Sequence, residues 1–226
     1  MIPEPENPFA TYFPSSPTYN PTSPTYALRS PMPGSPAHSL APSMDVAGKL
    51  LPMIGRHGSG KGSLGAILAA MFGGISISAG QIYRAIGDSS KIMSTMQKIL
   101  TSPVHKDKFV AIDGFNGHEI MLLTQYKPIA CVLELECSPQ VCERRLQMRQ
   151  RKDDVGKDLT QRAHTYFRKD IMESLDPDWK VVTVDTDGFM WDVVNHTMRL
   201  MHYPDLAPLA DFPNTLTAEQ IRAFAS

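Results

Sequence analysis

What this sequence lacks removes several classes of protein. Cysteine is scarce: Cys131, Cys137 and Cys142 are the only three, with no Cys-x-x-Cys pair and no histidine at metal-ligand spacing. That excludes a disulfide framework and a structural zinc site. Such thiols are expected to be reduced and mostly buried, which suits a reducing intracellular compartment, the cytoplasm or the nucleus. Long apolar runs are missing as well. None reaches the roughly 18 residues of a membrane span, and Met1-Ile-Pro-Glu-Pro-Glu lacks the basic, apolar and small-residue order of a signal peptide. A soluble protein with no membrane partner is expected. Nor is there a surplus of either charge: 22 Lys and Arg face 23 Asp and Glu, for a net charge of -1. A general nucleic-acid coat, which displaces counterions with a cationic excess, is therefore not expected.

Proline is abundant but unevenly placed. The first 43 residues hold 11 of the 19 prolines, many beside Ser or Thr, and such a segment cannot bury enough apolar surface to offset the entropy of ordering it. It reads as a disordered arm. Within it Tyr12, Tyr19 and Tyr26 recur every seven residues, and Ser16-Pro17, Ser23-Pro24 and Ser30-Pro31 keep the same period. The units resemble the heptad tail of the largest subunit of eukaryotic RNA polymerase II, with a Pro/Ser-rich solvated tail of accidental period as the plainer reading. If the resemblance has meaning, phosphorylation of the three serines adds about -1.5 to -2 charges each and creates a docking site for a protein partner.

From Met44 the composition turns to alternating strand and helix signals. Strands are predicted at 49–54, 74–78, 109–112, 130–136 and 180–185. Helices are predicted at 60–71, at 81–100 with a break near Gly87-Asp88, at 139–149, 159–175 and 190–201. Alternation of this kind implies a five-stranded parallel sheet between helical layers, a three-layer α/β fold spanning residues 44–202. Residues 203–226 form a tail in which Thr217-Ala-Glu-Gln220 fits a capping box opening a short helix. The tail packs either on the body or on a partner.

The chemistry centres on Gly55-Arg56-His57-Gly58-Ser59-Gly60-Lys61-Gly62-Ser63. A predicted strand runs into this glycine-rich turn and a predicted helix follows, the setting of a phosphate-binding loop. Gly55, Gly58 and Gly60 let amide N–H groups crowd around phosphate oxygens, Ser59 and Gly62 lie within the same loop, and the helix adds the positive end of its dipole. Lys61 supplies a point charge to the β- and γ-phosphates, and the Ser63 hydroxyl reaches a phosphate or the shell of Mg²⁺. ATP with Mg²⁺ is the expected ligand.

Gly62 follows the lysine where most such loops carry Ser or Thr. The Gly-Lys-Gly-Ser ending resembles the Gly-Lys-Gly-Thr of adenylate, UMP-CMP and bacterial cytidylate kinases, the nucleoside monophosphate kinases. Ser78-Ala79-Gly80-Gln81-Ile82-Tyr83-Arg84 resembles the family's acceptor stretch, which implies Gly80 and Arg84 as acceptor-binding residues and Arg84 as the clamp on the monophosphate. Phe109-Val-Ala-Ile-Asp113-Gly114-Phe115 is similar to the family's Asp-Gly-Phe-Pro-Arg. Asp113 then ends a strand beside the loop and orients the water around Mg²⁺, unless it only opens an Asp-Gly turn. Arg151-Lys152-Asp153-Asp154, preceded by Arg149 and followed by Arg162, looks like the family's lid and return helix, where arginines converge on the transferring phosphoryl group. Asp153 and Asp154 orient these arginines on that reading.

The resemblance has gaps. Asn116 and Gly117 stand where the family has proline and an acceptor arginine, with His118 a weak substitute. The acceptor-binding and lid segments are both short. The sequence therefore supports a phosphotransferase acting on a nucleoside monophosphate, and beside it a degenerate nucleotide-binding or scaffold protein working through its arm. A kinase for another small metabolite shares the loop but has less claim on the arginine pattern.

Overall fold

The computed structural model of the chain describes residues 44–149, 154–166, 168–203 and 215–225. The heptad arm, Arg151 and Asp153 lie outside the described residues. Five strands, β1 (Leu50–Gly55), β2 (Ile75–Ser78), β3 (Val110–Asp113), β4 (Val132–Glu136) and β5 (Val181–Asp185), form one sheet in the order β2-β3-β1-β4-β5. All four neighbouring pairs are parallel. The helices are α1 (Lys61–Met71), α2 (Ala79–Ile86), α3 (Ile92–Thr101), α4 (Gly117–Leu123), α5 (Pro139–Arg149), α6 (Leu159–His164), α7 (Arg168–Glu173), α8 (Met190–Leu200) and α9 (Ala218–Ala225).

Apolar side chains gather on both faces of the sheet, which is why the central strand reads as an unbroken apolar run. One face packs Leu51, Met53 and Leu133 against α1 and α8 through Leu64, Leu68, Val194 and Met198. The other packs Leu50, Ile54, Ile77 and Ile112 against α2, α3 and α4 through Ile82, Met96, Ile99 and Ile120. The three cysteines are free and buried, as their apolar setting predicts.

Pro52 sits in the central strand, where a missing N–H costs a ladder bond. The chain answers with a bulge: Leu50 bridges Ile129, yet Met53 pairs with Leu133, so three steps along β1 match four on its neighbour. Below the sheet Lys127 is almost fully buried, its Nζ donating to the carbonyls of Gly48 at 3.1 Å, Lys106 at 2.5 Å and Lys108 at 3.0 Å. It ties three loop segments at the end of the sheet away from the phosphate loop.

The predicted helix over 81–100 divides where Gly87 takes a left-handed conformation that closes α2, and Asp88 then caps a short 3-10 turn. The predicted helix over 159–175 also divides, because Thr165 turns to extended backbone after α6. Helix α4 has no counterpart among the predicted elements, although Asn116 and Glu119 form a reciprocal capping box at its start. The C-terminal segment packs on the body: Thr215 bridges Ser76 on the sheet's β2 edge, and Leu216, Ile221 and Phe224 join the apolar cluster of α2 and α3. Among the described residues no helix is long and apolar enough to cross a membrane.

Candidate active site

The site forms where β1 ends and α1 begins, at the carboxyl edge of the parallel sheet. Gly60 caps α1 with φ of 94°, and no side chain satisfies the first amides of the helix. Those N–H groups, with the helix dipole behind them, make an anion cradle. Gly58 has φ of 87°, and a Cβ there would stand 2.4 Å from the Cys142 carbonyl oxygen, so the loop fits against α5 only without a side chain. Gly55 and the fully buried Ser59 shape the loop from beneath.

Lys61 folds back over its own loop, donating from Nζ to the carbonyls of Gly55 at 2.8 Å and Arg56 at 2.6 Å, with Ser59 Oγ at 3.5 Å. Burial lowers its pKa from the usual lysine value, and the charge of Asp113 opposes that shift. Asp113 ends β3 in register with Met53 and Ser78, and its Oδ2 lies 3.5 Å from where a Gly62 Cβ would sit. Its carboxylate and the Ser63 hydroxyl are hard oxygen donors beside the cradle, a donor set that suits Mg²⁺.

A cavity of about 760 Å³ opens over this loop. Its walls bring together Gly58, Gly60, Lys61, Gly62, Ser63, Gly80, Arg84, Asp113, Arg149 and Arg162, residues from the loop, α1, α2, β3, α5 and α6. Arg84 projects from α2, whose first turn is fixed by the Ser78–Gln81 capping box. A Cβ on Gly80 would come within 3.3 Å of Arg84 Nη1, so the glycine leaves room for the guanidinium to lie along its helix. Arg149 and Arg162 meet on Asp154, which is 6% exposed. Hydrogen bonds and the two positive charges hold its carboxyl below the usual carboxylate range.

The cavity is also lined by residues to which sequence reasoning gave no role, among them His57, Ala66, Arg145, Met190 and Thr215. Arg145 could have been found from its spacing, since it precedes Arg149 by one helical turn on α5. It donates to the carbonyls of Thr186 at 2.7 Å and Gly188 at 3.2 Å, and to Cys137 Sγ at 3.4 Å, which anchors the loop after β5 to α5. Thr215 had no local signal, because only the return of the tail to the β2 edge brings it here.

Gly117 is not an open position waiting for an arginine. A Cβ there would lie 1.9 Å from Ser174 Oγ and 2.7 Å from the Ser174 carbonyl oxygen. Helix α4 starts hard against the end of α7, and His118 is exposed and does not line the cavity.

Arg56 ties the loop to the return helix. Its Nη1 donates to the His164 carbonyl at 2.7 Å and reaches the Ala163 carbonyl at 3.5 Å, where the dipole of α6 is negative, and its guanidinium lies 5.5 Å from the Tyr166 ring centre. Beside it Arg168 makes a two-pronged bond to the fully buried Glu134, at 2.5 and 2.8 Å, and these residues border a second cavity of about 340 Å³.

The strand order with a glycine loop between β1 and α1 defines a three-layer P-loop α/β fold. No family model matches the chain, and no curated protein matches it. Among solved structures it is similar to a gluconokinase from Sinorhizobium meliloti 1021, with 16% identity over 69% of this chain and 92% of that one at a TM-score of 0.47. A sugar kinase from Janibacter sp. is 13% identical over 68% of this chain and 94% of that one, with a TM-score of 0.46. A shikimate kinase from Acinetobacter baumannii, solved in complex with shikimate, is 16% identical over 68% of this chain and 92% of that one, with a TM-score of 0.48.

Proposed function

We propose that the chain is an ATP-dependent phosphotransferase that passes the γ-phosphoryl group to a small anionic acceptor, with a nucleoside monophosphate as the first candidate. The observation that carries this reading is the single cavity in which Lys61, Asp113, Arg84, Arg149 and Arg162 surround one glycine loop. The uncapped amides of α1 and Lys61 bind the donor phosphates, as such groups do at a helix N-terminus. Asp113 and Ser63 would hold Mg²⁺, whose charge would offset that of the donor phosphates. Arg84 orients the acceptor anion from α2. Arg149 and Arg162, set side by side by Asp154, stabilise charge spread over the oxygens of the group in flight. The acceptor oxygen is the nucleophile, so positioning and electrostatics supply the catalysis.

A coupled assay with MgATP and a panel of nucleoside monophosphates and small phosphorylated or carboxylated alcohols tests the reading. Turnover of one acceptor, abolished by Lys61→Ala, supports it; ATP binding without turnover of any acceptor sinks it.

The second reading, a nucleotide-binding scaffold without transfer, is favoured by the contact of Gly117 with Ser174, which fills the place of an acceptor arginine. On that reading the Ser-Pro heptads of the arm, once phosphorylated at Ser16, Ser23 and Ser30, recruit a protein partner. Mass spectrometry of protein from its native cells that always found these serines unmodified would remove the idea.

A further inference from the structure

We propose that His57 is a proton-accepting ligand of the donor's terminal phosphate: neutral in the free protein, its imidazole takes up one proton as a nucleoside triphosphate enters and holds that charge against the phosphate. The proposal rests on the reading of the cavity as a triphosphate site.

The placement comes first. His57 lies at the tip of the glycine loop and lines the cavity next to Gly58, Lys61, Arg149 and Arg162. The loop that carries it is held on two sides. Gly58 fits against the Cys142 carbonyl without room for a Cβ, and Ser59 N–H donates to the Arg56 carbonyl at 3.2 Å. Arg56, the preceding residue, is bonded to the last carbonyls of α6. The same helix carries Arg162, so the clamp that fixes the loop also fixes His57 relative to the arginine. The backbone that carries the imidazole is therefore anchored at the cavity wall, beside cations that line the same cavity.

Burial first, and then the charges facing it, account for its state. Lys61 presses on it from α1, Arg162 from α6 and Arg149 from α5, while the Asp154 carboxylate opposes them. Asp154 is already engaged by both arginines. Desolvation within the cavity mouth, then the charges of Lys61, Arg162 and Arg149, bring the imidazole from the usual 6.5 down to about 4. A proton there would add a further positive charge to a wall that holds too many.

A triphosphate reverses the sign of that field. Several negative charges arrive among the same cations, and the group that refused a proton is now favoured to carry one. The proton comes from solvent buffer to the free ring nitrogen, and no bond to phosphorus forms. A fixed lysine or arginine at this position would bind the donor as well, but would leave a standing repulsion with Lys61, Arg149 and Arg162 in the free protein. A titrating imidazole brings its charge with the ligand and gives it up when the ligand leaves. Donor affinity then strengthens as pH falls through neutrality, because binding and protonation are linked.

The test is calorimetric titration of the full chain with MgATP between pH 6 and 7, in buffers of different ionisation enthalpy. The wild type is expected to take up at least about half a proton per nucleotide beyond His57→Gln, and its Kd is expected to weaken roughly threefold or more for each pH unit of rise, the slope that such uptake requires. Protonation of the nucleotide itself is common to both proteins and cancels in the comparison. His57→Arg, with a permanent charge, is expected to bind without the excess uptake. Equal uptake by wild type and His57→Gln overturns the proposal. Proton NMR of the wild type gives a reading without substitution: one imidazole must move to its cationic shift on adding MgATP, and seven unmoved histidines overturn the proposal as well. Failure of the wild type to bind MgATP at all would instead overturn the triphosphate reading beneath it.

Discussion

Asp154 receives the Arg149 guanidinium in a two-pronged bond, Nε to Oδ2 at 2.6 Å and Nη2 to Oδ1 at 2.8 Å, and the same carboxylate accepts a bond from Arg162 Nη1. Two cations that would repel are thereby held side by side at the cavity wall. The carboxylate is 6% exposed, so it belongs to the interior more than to the solvent. Its role is to position the arginines, since its oxygens are occupied by them.

Asp154→Asn keeps the shape and removes the charge. Breaking a buried pair costs about 3 to 5 kcal/mol, but both arginines are 25% exposed and water screens part of the loss. About 1 to 3 kcal/mol of stability is expected to go, read by urea denaturation. Turnover is expected to fall roughly 100-fold, the scale of a displaced catalytic group. The wild-type carboxyl titrates below its ordinary 3.8 in the folded protein. Its contribution is thus present above that value and lost as pH falls through the folded pKa. Asp154→Asn is expected to lack this acid-dependent loss, and identical acid-unfolding curves would contradict the pairing.

Lys61→Ala removes a permanent charge at the start of α1, beside the uncapped amides of the glycine loop. In the free protein this ammonium rests on the carbonyls of Gly55 and Arg56, so it is stored within reach of the cradle. A charge-assisted bond contributes about 1.5 to 3 kcal/mol, which predicts a loss of roughly 10- to 150-fold in MgATP affinity with the fold intact. Calorimetry against circular dichroism separates the two effects.

The glycine-loop side of the cavity was legible in the sequence because local pattern decides it. A strand, a glycine loop and a helix are contiguous, so spacing alone placed Lys61 and Ser63, and the apolar strand ending in Asp113 needed only the rule that ligands meet the carboxyl edge of a parallel sheet. Arginines at the end of α5 and within α6 were readable for the same reason, whereas their union on Asp154 was an expectation about orientation. Long-range pairings were not readable. Glu134 carries no sequence signal of its partner, and its bond to Arg168 ties β4 to a residue 34 positions away. Helix α4 was legible in principle through Asn116 and Glu119, but it is too short for periodicity to register. The tail's capping box was read from Thr217 and Gln220, while its docking site on the β2 edge has no signature within the tail.

Restoring the absent arginine by Gly117→Arg is expected to fail. The Cβ would overlap Ser174 Oγ at 1.9 Å and press on the Ser174 carbonyl, so α4 or the end of α7 must move. Overpacking of this kind typically costs about 1 to 3 kcal/mol. The variant is expected to lose stability without gaining acceptor affinity. A fully stable Gly117→Arg with tighter acceptor binding would show that α4 yields more easily than its packing implies.

Ile221→Ala separates the two halves of the site. Ile221 is 2% exposed on α9 and packs in the apolar cluster that also holds Ile82 and Ala85 of α2, the helix that presents Gln81 and Arg84 to the cavity. The donor loop leans instead on α5 and on the C-terminal carbonyls of α6. Truncating a buried isoleucine costs about 2 to 5 kcal/mol, and the slack it creates lies in the apolar cluster where α9 meets α2 and α3. MgATP affinity is therefore expected to stay within about twofold of wild type, while KM for the acceptor rises several-fold, since a clamp displaced by a fraction of an ångström loses its geometry before the fold fails. Thr215→Val tests the same wall without disturbing the core, because Thr215 lines the cavity where the tail meets Ser76. If both substitutions weaken MgATP as much as the acceptor, the tail supports the whole site, and the division between donor and acceptor halves does not hold.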